Sequence, residues 1–460
     1  SFWLLIGCCF SVLYGQEKTS AVIAHFSKAT HLQWAVPTPQ GNLPLEWVER
    51  HNTFSLEGYR SFVAYHEGVF SGSISMNDTT LSGEIWQDGH TYSLSDDKGL
   101  LRVSLQESHT SCEACADGAS SQRAMLPTRL APGTILAEES LPSEDKRVLY
   151  NVHVMRTFRL AMLIDYSFYK GHCQGRMELV KAFMTDVQTK LNEVCGRELG
   201  YQFELVDDAR LIRDTDKKEV YPDKPLVRTV VNTATDTFNK LIGEENYDAG
   251  IVFSVYKDNR GLAHLGEITG KLKGGCVANE EFYIILHELG HLLGSAHTFT
   301  IGGATASSFT EPDRGNSIMS YINDPYGTYF SLPSIYTIHN RTNLHDAYYA
   351  DKARTQLVGL PQPNIPYGEP SDNKAPMIDR SKLKKSYALP PNTYFQFTIE
   401  ASDPDGDPLL YMAHQADFKV FGKARFPSDR PTTNNKIAFY RPYTKDNNTN
   451  EWKEVPYKFT

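Results

Sequence analysis

The run His287-Glu288-Leu289-Gly290-His291-Leu292-Leu293-Gly294-Ser295-Ala296-His297 holds this chain to one local geometry. The largely apolar residues 280–286 lead into it with helix-compatible composition, so His287 and His291 fall four apart on one helical face. Both imidazoles then reach one ion at about 2.0–2.1 Å, as tetrahedral zinc requires. Glu288 is offset around the same helix, beside such an ion, where a carboxylate can take a proton from an activated water. Gly294 tolerates a positive φ and a sharp exit from the helix. That turn returns His297 as a third ligand. A fourth position left for water and substrate separates a catalytic zinc site from a closed structural one.

A bare H-E-x-x-H arises by chance in many helices, but the longer pattern fixes five positions within 287–297 and is far more specific. Its bland alternative is a helix with surface histidines and a C-capping glycine. A second element narrows the choice. Ser317-Ile318-Met319-Ser320-Tyr321 follows a loop rich in Gly, Ser and Thr and reads as a methionine turn beneath the zinc site. Taken alone, Met319 would be an ordinary core residue.

With 460 residues the chain has room for two or three domains, and 40% hydrophobic with 12% aromatic content suits globular domains. Net charge is −9 and no basic tract occurs, which argues against nucleic acid and anionic membrane surfaces as partners. Residues 1–15 run apolar to about Tyr14 and read as the hydrophobic part of a secretory signal, implying a secreted, extracellular protein. A buried N-terminal strand is one alternative. Lipid anchoring through Cys8 is another, although the apolar run continues past that cysteine. No later run reaches the roughly 18 apolar residues of a membrane span.

Of seven cysteines, Cys8 and Cys9 would leave with the signal, so Cys112, Cys115, Cys173, Cys195 and Cys276 remain. An odd number leaves at least one free thiol. Cys173 and Cys195 flank a predicted helix that would hold them about 30 Å apart, too far for a disulfide.

Residues 20–142 are β-rich, with alternating segments at 70–76, 80–86 and 100–105 between Gly, Asp and Asn turns. We assign 16–147 as a pro-domain, with a processing site at the dibasic Lys146-Arg147, or else a solvated loop there. Residues 148–355 form the catalytic domain. Within it, 158–164 predicts a strand, and Met177, Val180, Met184, Val187, Leu191 and Val194 an amphipathic helix capped by Gly196. Tyr201, Phe203 and Leu205 predict a second strand, 225–242 a helix, 248–255 a third strand, and 334–350 a final helix. This alternation signals an α/β fold with a mostly parallel, twisted sheet. A proline-rich linker spans 356–375. Residues 376–460 read as an immunoglobulin-like β-sandwich, incomplete at this length, with alternating Phe395, Phe397 and Ile399 before Asp403-Pro404-Asp405-Gly406-Asp407. Those aspartates suit calcium, but the loop lacks the closing Glu of an EF-hand, so Ca2+ is unsupported and an acidic turn is the simpler reading.

On these motifs, residues 156–350 resemble a reprolysin-type metzincin peptidase, most closely the secreted reprolysin-like enzymes of Bacteroidetes bacteria. Agreement extends to Tyr169-Lys170-Gly171-His172, Asn246-Tyr247-Asp248-Ala249-Gly250, Gly261-Leu262-Ala263, Ser295-Ala296-His297-Thr298-Phe299, Glu311-Pro312 and Tyr329-Phe330. The resemblance implies an endopeptidase that lays extended polypeptide antiparallel to an edge strand, here within 261–268. It also implies one catalytic Zn2+ on His287, His291 and His297, Glu288 as general base and Met319 as support. Tyr321 would stabilise the oxyanion or ligate the resting metal, unless it is an outward-packed structural residue. Cys112 or Cys115 could block the zinc in a zymogen; a local disulfide or two unrelated thiols are the alternatives. Cys276 has no evident partner, although the family often carries disulfides near the cleft. The competing functions are a zinc-containing binding or adhesion module without catalysis, against which an intact Glu288 argues, and a capture protein led by its C-terminal sandwich.

Overall fold

The computed structural model describes residues 17–51, 56–87, 90–106, 154–218, 220–258, 260–298, 317–320, 329–342, 368–384, 388, 396–411, 436–438, 443–445 and 452–454. The signal segment, Cys112, Cys115, Lys146-Arg147 and Tyr321 lie outside these residues. The chain divides into two compact units, one of residues Ser1–His109 with Tyr169–Lys190, the other of Thr110–Phe168 with Leu191–Thr460.

In the first unit, helix α1 (Thr19–Phe26) precedes a seven-stranded antiparallel meander: β1 (His31–Thr38), β2 (Gly41–Arg50), β3 (Arg60–His66), β4 (Val69–Met76), β5 (Leu81–Gln87), β6 (His90–Asp97) and β7 (Leu100–Gln106). Alternation puts Trp47, Phe62, Ile74, Ile85, Leu94 and Val103 on a buried face, where Val22, Ile23 and Phe26 of α1 complete the core. Polar groups from Tyr169–Lys190 belong to the same unit. Asp186 is paired at 2.8 Å with Lys190 one turn on, and both side chains are almost wholly buried. Ser73 Oγ donates to Asp186 Oδ1 at 2.5 Å, and Arg176 Nη1 donates to Asp96 Oδ2 at 2.5 Å.

The second unit is built on a mixed sheet in the order β11-β12-β10-β8-β13, with β9 also on β8. Its central strand β8 (Val154–Ile164) ends in the run Leu160-Ala161-Met162-Leu163-Ile164, every residue buried, as a strand covered on both faces requires. Strands β9 (Tyr201–Leu205) and β10 (Ala249–Phe253) pair with β8 in parallel. Beyond β10 lies parallel β12 (Cys276–Ala278), and then β11 (Gly261–Ala263), antiparallel at the end of the order. The order is thus parallel from β8 through β10 to β12, with antiparallel strands β13 and β11 at its two ends and β9 parallel beside β8. Helix α4 (Val227–Ile242) packs on it through Val227, Val230, Val231, Ala234 and Phe238, at helical spacing.

Several expected boundaries shift. After the short helix α2 (Tyr166–Gly171), helix α3 (Met177–Leu199) runs through Gly196, and the left-handed residue that ends it is Gly200, with φ 68°. Tyr201 follows directly as a strand, so the turn must fall one residue earlier. Helix α5 (Phe282–Leu293) begins two residues after Glu280. Helix α6 is described over Leu332–Thr342, two residues earlier than expected at its start. Within the stretch read as a linker, β13 (Glu369–Lys374) is hydrogen-bonded antiparallel to β8. Farther on, three two-stranded ladders join β14 (Met377–Ile378) to β16 (Ala401–Ser402), β15 (Gln396–Thr398) to β17 (Lys436–Ala438), and β18 (Tyr443–Lys445) to β19 (Trp452–Glu454). No two-sheet sandwich forms among the described residues. Nor is any described helix long and apolar enough to cross a membrane.

On α6, His339 accounts for part of the acid sensitivity expected of this fold. Its Nε2 lies 3.0 Å from the Leu199 carbonyl, and burial pulls its pKa down to about 4. Because the folded pKa is depressed, the unfolded chain takes up the proton first as pH falls below about 6.5. Stability is therefore present above pH 6.5 and is lost progressively towards pH 4, by about 3 kcal/mol from this residue. Urea midpoints across that window should fall less steeply in His339→Gln than in the parent. Equal slopes would show that His339 does not carry the effect.

Candidate metal centre

Helix α5 is buried along nearly its whole length, so His287, Glu288 and His291 are held inside the protein instead of on a wet surface. Gly294 ends the helix with φ 123°, and its N–H reaches the Gly290 and His291 carbonyls at 3.1 and 2.9 Å. A Cβ at Gly294 would lie 2.8 Å from Arg341 Cβ of α6, so both the backbone angle and the neighbour demand glycine. The turn brings His297 back to the helix. Nε2 of His297 lies 3.2 Å from that of His287 and 3.1 Å from that of His291, and the latter two are 3.1 Å apart. These three are the group of ligand atoms among the described residues that could hold a metal ion.

The hydrogen bonds behind the triad fix what those nitrogens can do. His287 Nδ1 faces the Ile318 carbonyl at 2.7 Å, and His291 Nδ1 faces the Ser295 carbonyl at 2.7 Å. A carbonyl only accepts, so both Nδ1 atoms carry the proton and both Nε2 atoms present bare lone pairs. Burial, with His291 as the second cause, lowers the pKa of His287 to about 3; burial lowers that of His291 to about 4. His297 is pushed down by burial and then by its two histidine neighbours. Neutral imidazoles are the ligating form. Two unprotonated nitrogens 3.1 Å apart cannot hydrogen-bond to each other, and their close approach is favourable only around a cation. The spacings are near the roughly 3.3 Å edge of a tetrahedron with bonds of about 2.0 Å. The donor set therefore fits zinc.

Met319 is fully buried beneath α5. A Cβ on Gly290 would lie 2.4 Å from Met319 Sδ, so the turn packs flush against the helix where the helix has no side chain. Tyr283, one turn before His287, donates its hydroxyl to the carbonyls of Ile318 (3.2 Å) and Ser320. Thr298 N–H donates to Met319 O at 3.2 Å, and Ile318 N–H to Tyr329 O at 2.9 Å. This turn thus both supports the helix from below and supplies the acceptor that orients His287. The sequence predicts the support but not the acceptor. Tyr283, at the i−4 position of His287, was the available signal for it.

Glu288 is completely buried beside the triad, on the side of α5 that meets β11. Cys276, on the neighbouring strand, is a buried free thiol whose pKa is raised by burial and then by the Glu288 charge. Cys195 is likewise free and buried, and Cys173 is buried too. In the C-terminal acidic loop, Asp403 Oδ1 accepts from the backbone N–H of Asp405 (2.8 Å) and Asp407 (3.2 Å). Asp405 Oδ2 accepts from Lys374 N–H at 2.6 Å, and Asp407 Oδ2 from Asn373 Nδ2 at 2.7 Å. Those carboxylates serve a hydrogen-bonded turn.

Comparison with known proteins gives the same answer as the site. Residues 154–331 match the Reprolysin_5 family model, described as metallo-peptidase family M12. No curated protein matches the sequence. Among solved structures, a metalloproteinase-II from Bacteroides fragilis aligns with a TM-score of 0.38 at 10% identity, covering 71% of this chain and 96% of that one. A chaperone–substrate complex aligns at 0.28 and 15% identity, covering 39% of this chain and 31% of that one. Superpositions this weak carry no argument about the fold. The family match spans the triad, Glu288 and the methionine turn, and this chain therefore carries a reprolysin-type metallopeptidase domain of family M12, an enzyme that hydrolyses peptide bonds.

Proposed function

We propose that this chain is a secreted zinc endopeptidase in which Glu288 is the general base. The observation that carries the reading is the convergence of three neutral, buried imidazole nitrogens within 3.2 Å of one another, next to a buried carboxylate. His287, His291 and His297 would hold the ion. Bound there, zinc supplies Lewis acidity towards the scissile carbonyl and makes the attacking water more acidic. Glu288 accepts the proton of that water as it adds to the carbonyl carbon, and returns it to the amine nitrogen as the C–N bond breaks. Tyr321, two residues beyond Met319, would stabilise the developing oxyanion.

Substrate is assigned to the outer edge of β11, which ends the strand order. An extended peptide adding antiparallel to Gly261–Ala263 would gain backbone hydrogen bonds, with selectivity left to side-chain pockets. The N-terminal meander is proposed as a pro-domain released by cleavage within 107–153, at or near Lys146-Arg147. Cys112 or Cys115 would then be the latency ligand. The ladders within 376–460 are proposed as parts of an appended immunoglobulin-like sandwich.

Metal removal tests the reading directly. Dialysis against a chelator should abolish cleavage of an unstructured protein, and about one equivalent of zinc should restore it. Cleavage at the parental rate with no zinc detectable by mass spectrometry would contradict the proposal.

A further inference from the structure

Helix α5 and edge strand β11 meet where the strand has no side chain. A Cβ built on Gly261 would lie 2.6 Å from Glu288 Cγ, 2.9 Å from Glu288 Oε1 and 2.7 Å from Ile284 Cγ2. Cβ atoms do not approach other heavy atoms that closely, so any larger residue must push something aside. The Glu288 side chain therefore runs against bare strand backbone. Contacts on both sides of Gly261 keep that backbone in place. Arg260 Nη1 pairs with Glu281 at the start of α5, 2.6 Å from Oε2. Asn279 reinforces this corner, its Nδ2 donating to Glu281 Oε1 at 3.0 Å and its N–H to Arg260 O at 2.7 Å. Beyond the strand, Gly266 N–H donates to His291 O at 2.8 Å. Arg341 Nε donates to Gly266 O at 2.5 Å.

We infer that Gly261 is a positioning residue for Glu288: its bare backbone is the wall that sets the carboxylate, and the Arg260–Glu281 ion pair holds that wall against the helix. The inference rests on the reading of Glu288 as general base. A base must come within about 2.6–3.2 Å of the proton it abstracts, and a displacement of about 1 Å can cost ~10²-fold in rate. A glutamate with three rotatable side-chain bonds keeps such a position only if packing removes its other rotamers. Gly261 allows the strand to come close enough to do so. Ile284 offers the competing explanation, that glycine is needed only to clear an aliphatic neighbour, and the two differ in what rescues a bulkier residue.

The test uses the full chain, processed as the parent is, with kcat and KM on a quenched fluorescent peptide, zinc content by mass spectrometry, and the thermal midpoint. Gly261→Ala should keep its zinc and a KM within about threefold, while kcat falls ~10²-fold. Adding Ile284→Ala, which removes the Cγ2 that the new Cβ would meet, should not restore kcat. Glu288→Asp, one methylene shorter, should cost less in the Gly261→Ala background than in the parent, because the two changes act on one contact. Arg260→Met adds no bulk to the contact and should lower kcat about tenfold with zinc retained, which keeps the inference testable if Gly261→Ala does not fold. Parental kcat in Gly261→Ala or Arg260→Met, recovery through Ile284→Ala, or losses that simply multiply with Glu288→Asp would each overturn it. Glu288→Gln separates this inference from its foundation. If that variant is inactive while Gly261→Ala and Arg260→Met are unimpaired, only the positioning role fails. If Glu288→Gln retains the parental kcat, the general-base reading fails and the inference falls with it.

Discussion

Replacing His291 with alanine is expected to leave a chain that no longer holds zinc and no longer cleaves peptide. His291 Nε2 lies 3.1 Å from each of the other two ligand nitrogens, so it is a shared vertex of the triad. Its orientation is set by the Ser295 carbonyl at 2.7 Å, itself placed by the turn at Gly294. Losing a ligand's hydrogen-bond partner alone typically costs 10–100-fold in metal affinity. Removal of the ligand should exceed about 100-fold. Zinc binding is also linked to folding, so part of the thermal stability that zinc confers on the parent should vanish. Titration calorimetry on the metal-free protein reads the affinity, and the zinc-dependent change in melting temperature reads the linkage. Undiminished zinc affinity in His291→Ala would mean that the triad is not the metal site.

The second large effect belongs to Glu288→Gln, which keeps the shape of the side chain and removes its basicity. The fully buried position leaves little room for a water to take over the proton, and the three histidines remain in place. Zinc content should therefore equal the parent's while kcat falls by about 10²–10⁴-fold, the usual contribution of a general acid–base group. KM should change little if substrate is held through β11 and not through this carboxylate. A Glu288→Gln enzyme that turns over at the parental rate would require another base.

Much of the site is legible along the chain because its parts are local. His287, Glu288 and His291 share one helix, Gly294 ends it, and His297 is three residues on, so spacing alone brings the ligands together. Helix α4 was readable for a similar reason, its buried residues recurring at helical spacing on one face. The misplaced boundaries came from competition between neighbours. Gly196 looked like a cap, yet strand β9 begins at Tyr201 and makes Gly200 the residue that must turn. Glu281 looked like part of the helix, but its carboxylate is engaged by Arg260, a residue 21 positions away. Contacts of that kind leave no periodic trace. The same holds for the Ile318 carbonyl behind His287, the Gly261 backbone against Glu288, and β13, whose polar sequence pairs with β8 across some 200 residues of chain. Antiparallel pairing at a sheet margin needs only backbone groups, so a segment rich in Pro, Ser and Asp can supply it without the alternation that marks a core strand.

Endopeptidase action through Glu288 is tested by a peptide-library digest read by mass spectrometry, with the processed parent and its Glu288→Gln counterpart compared at equal zinc content. The parent should make internal cuts, with a side-chain preference around the scissile bond, and the variant essentially none. Matching cuts in both samples, or none in either with zinc bound, would contradict an endopeptidase that works through Glu288.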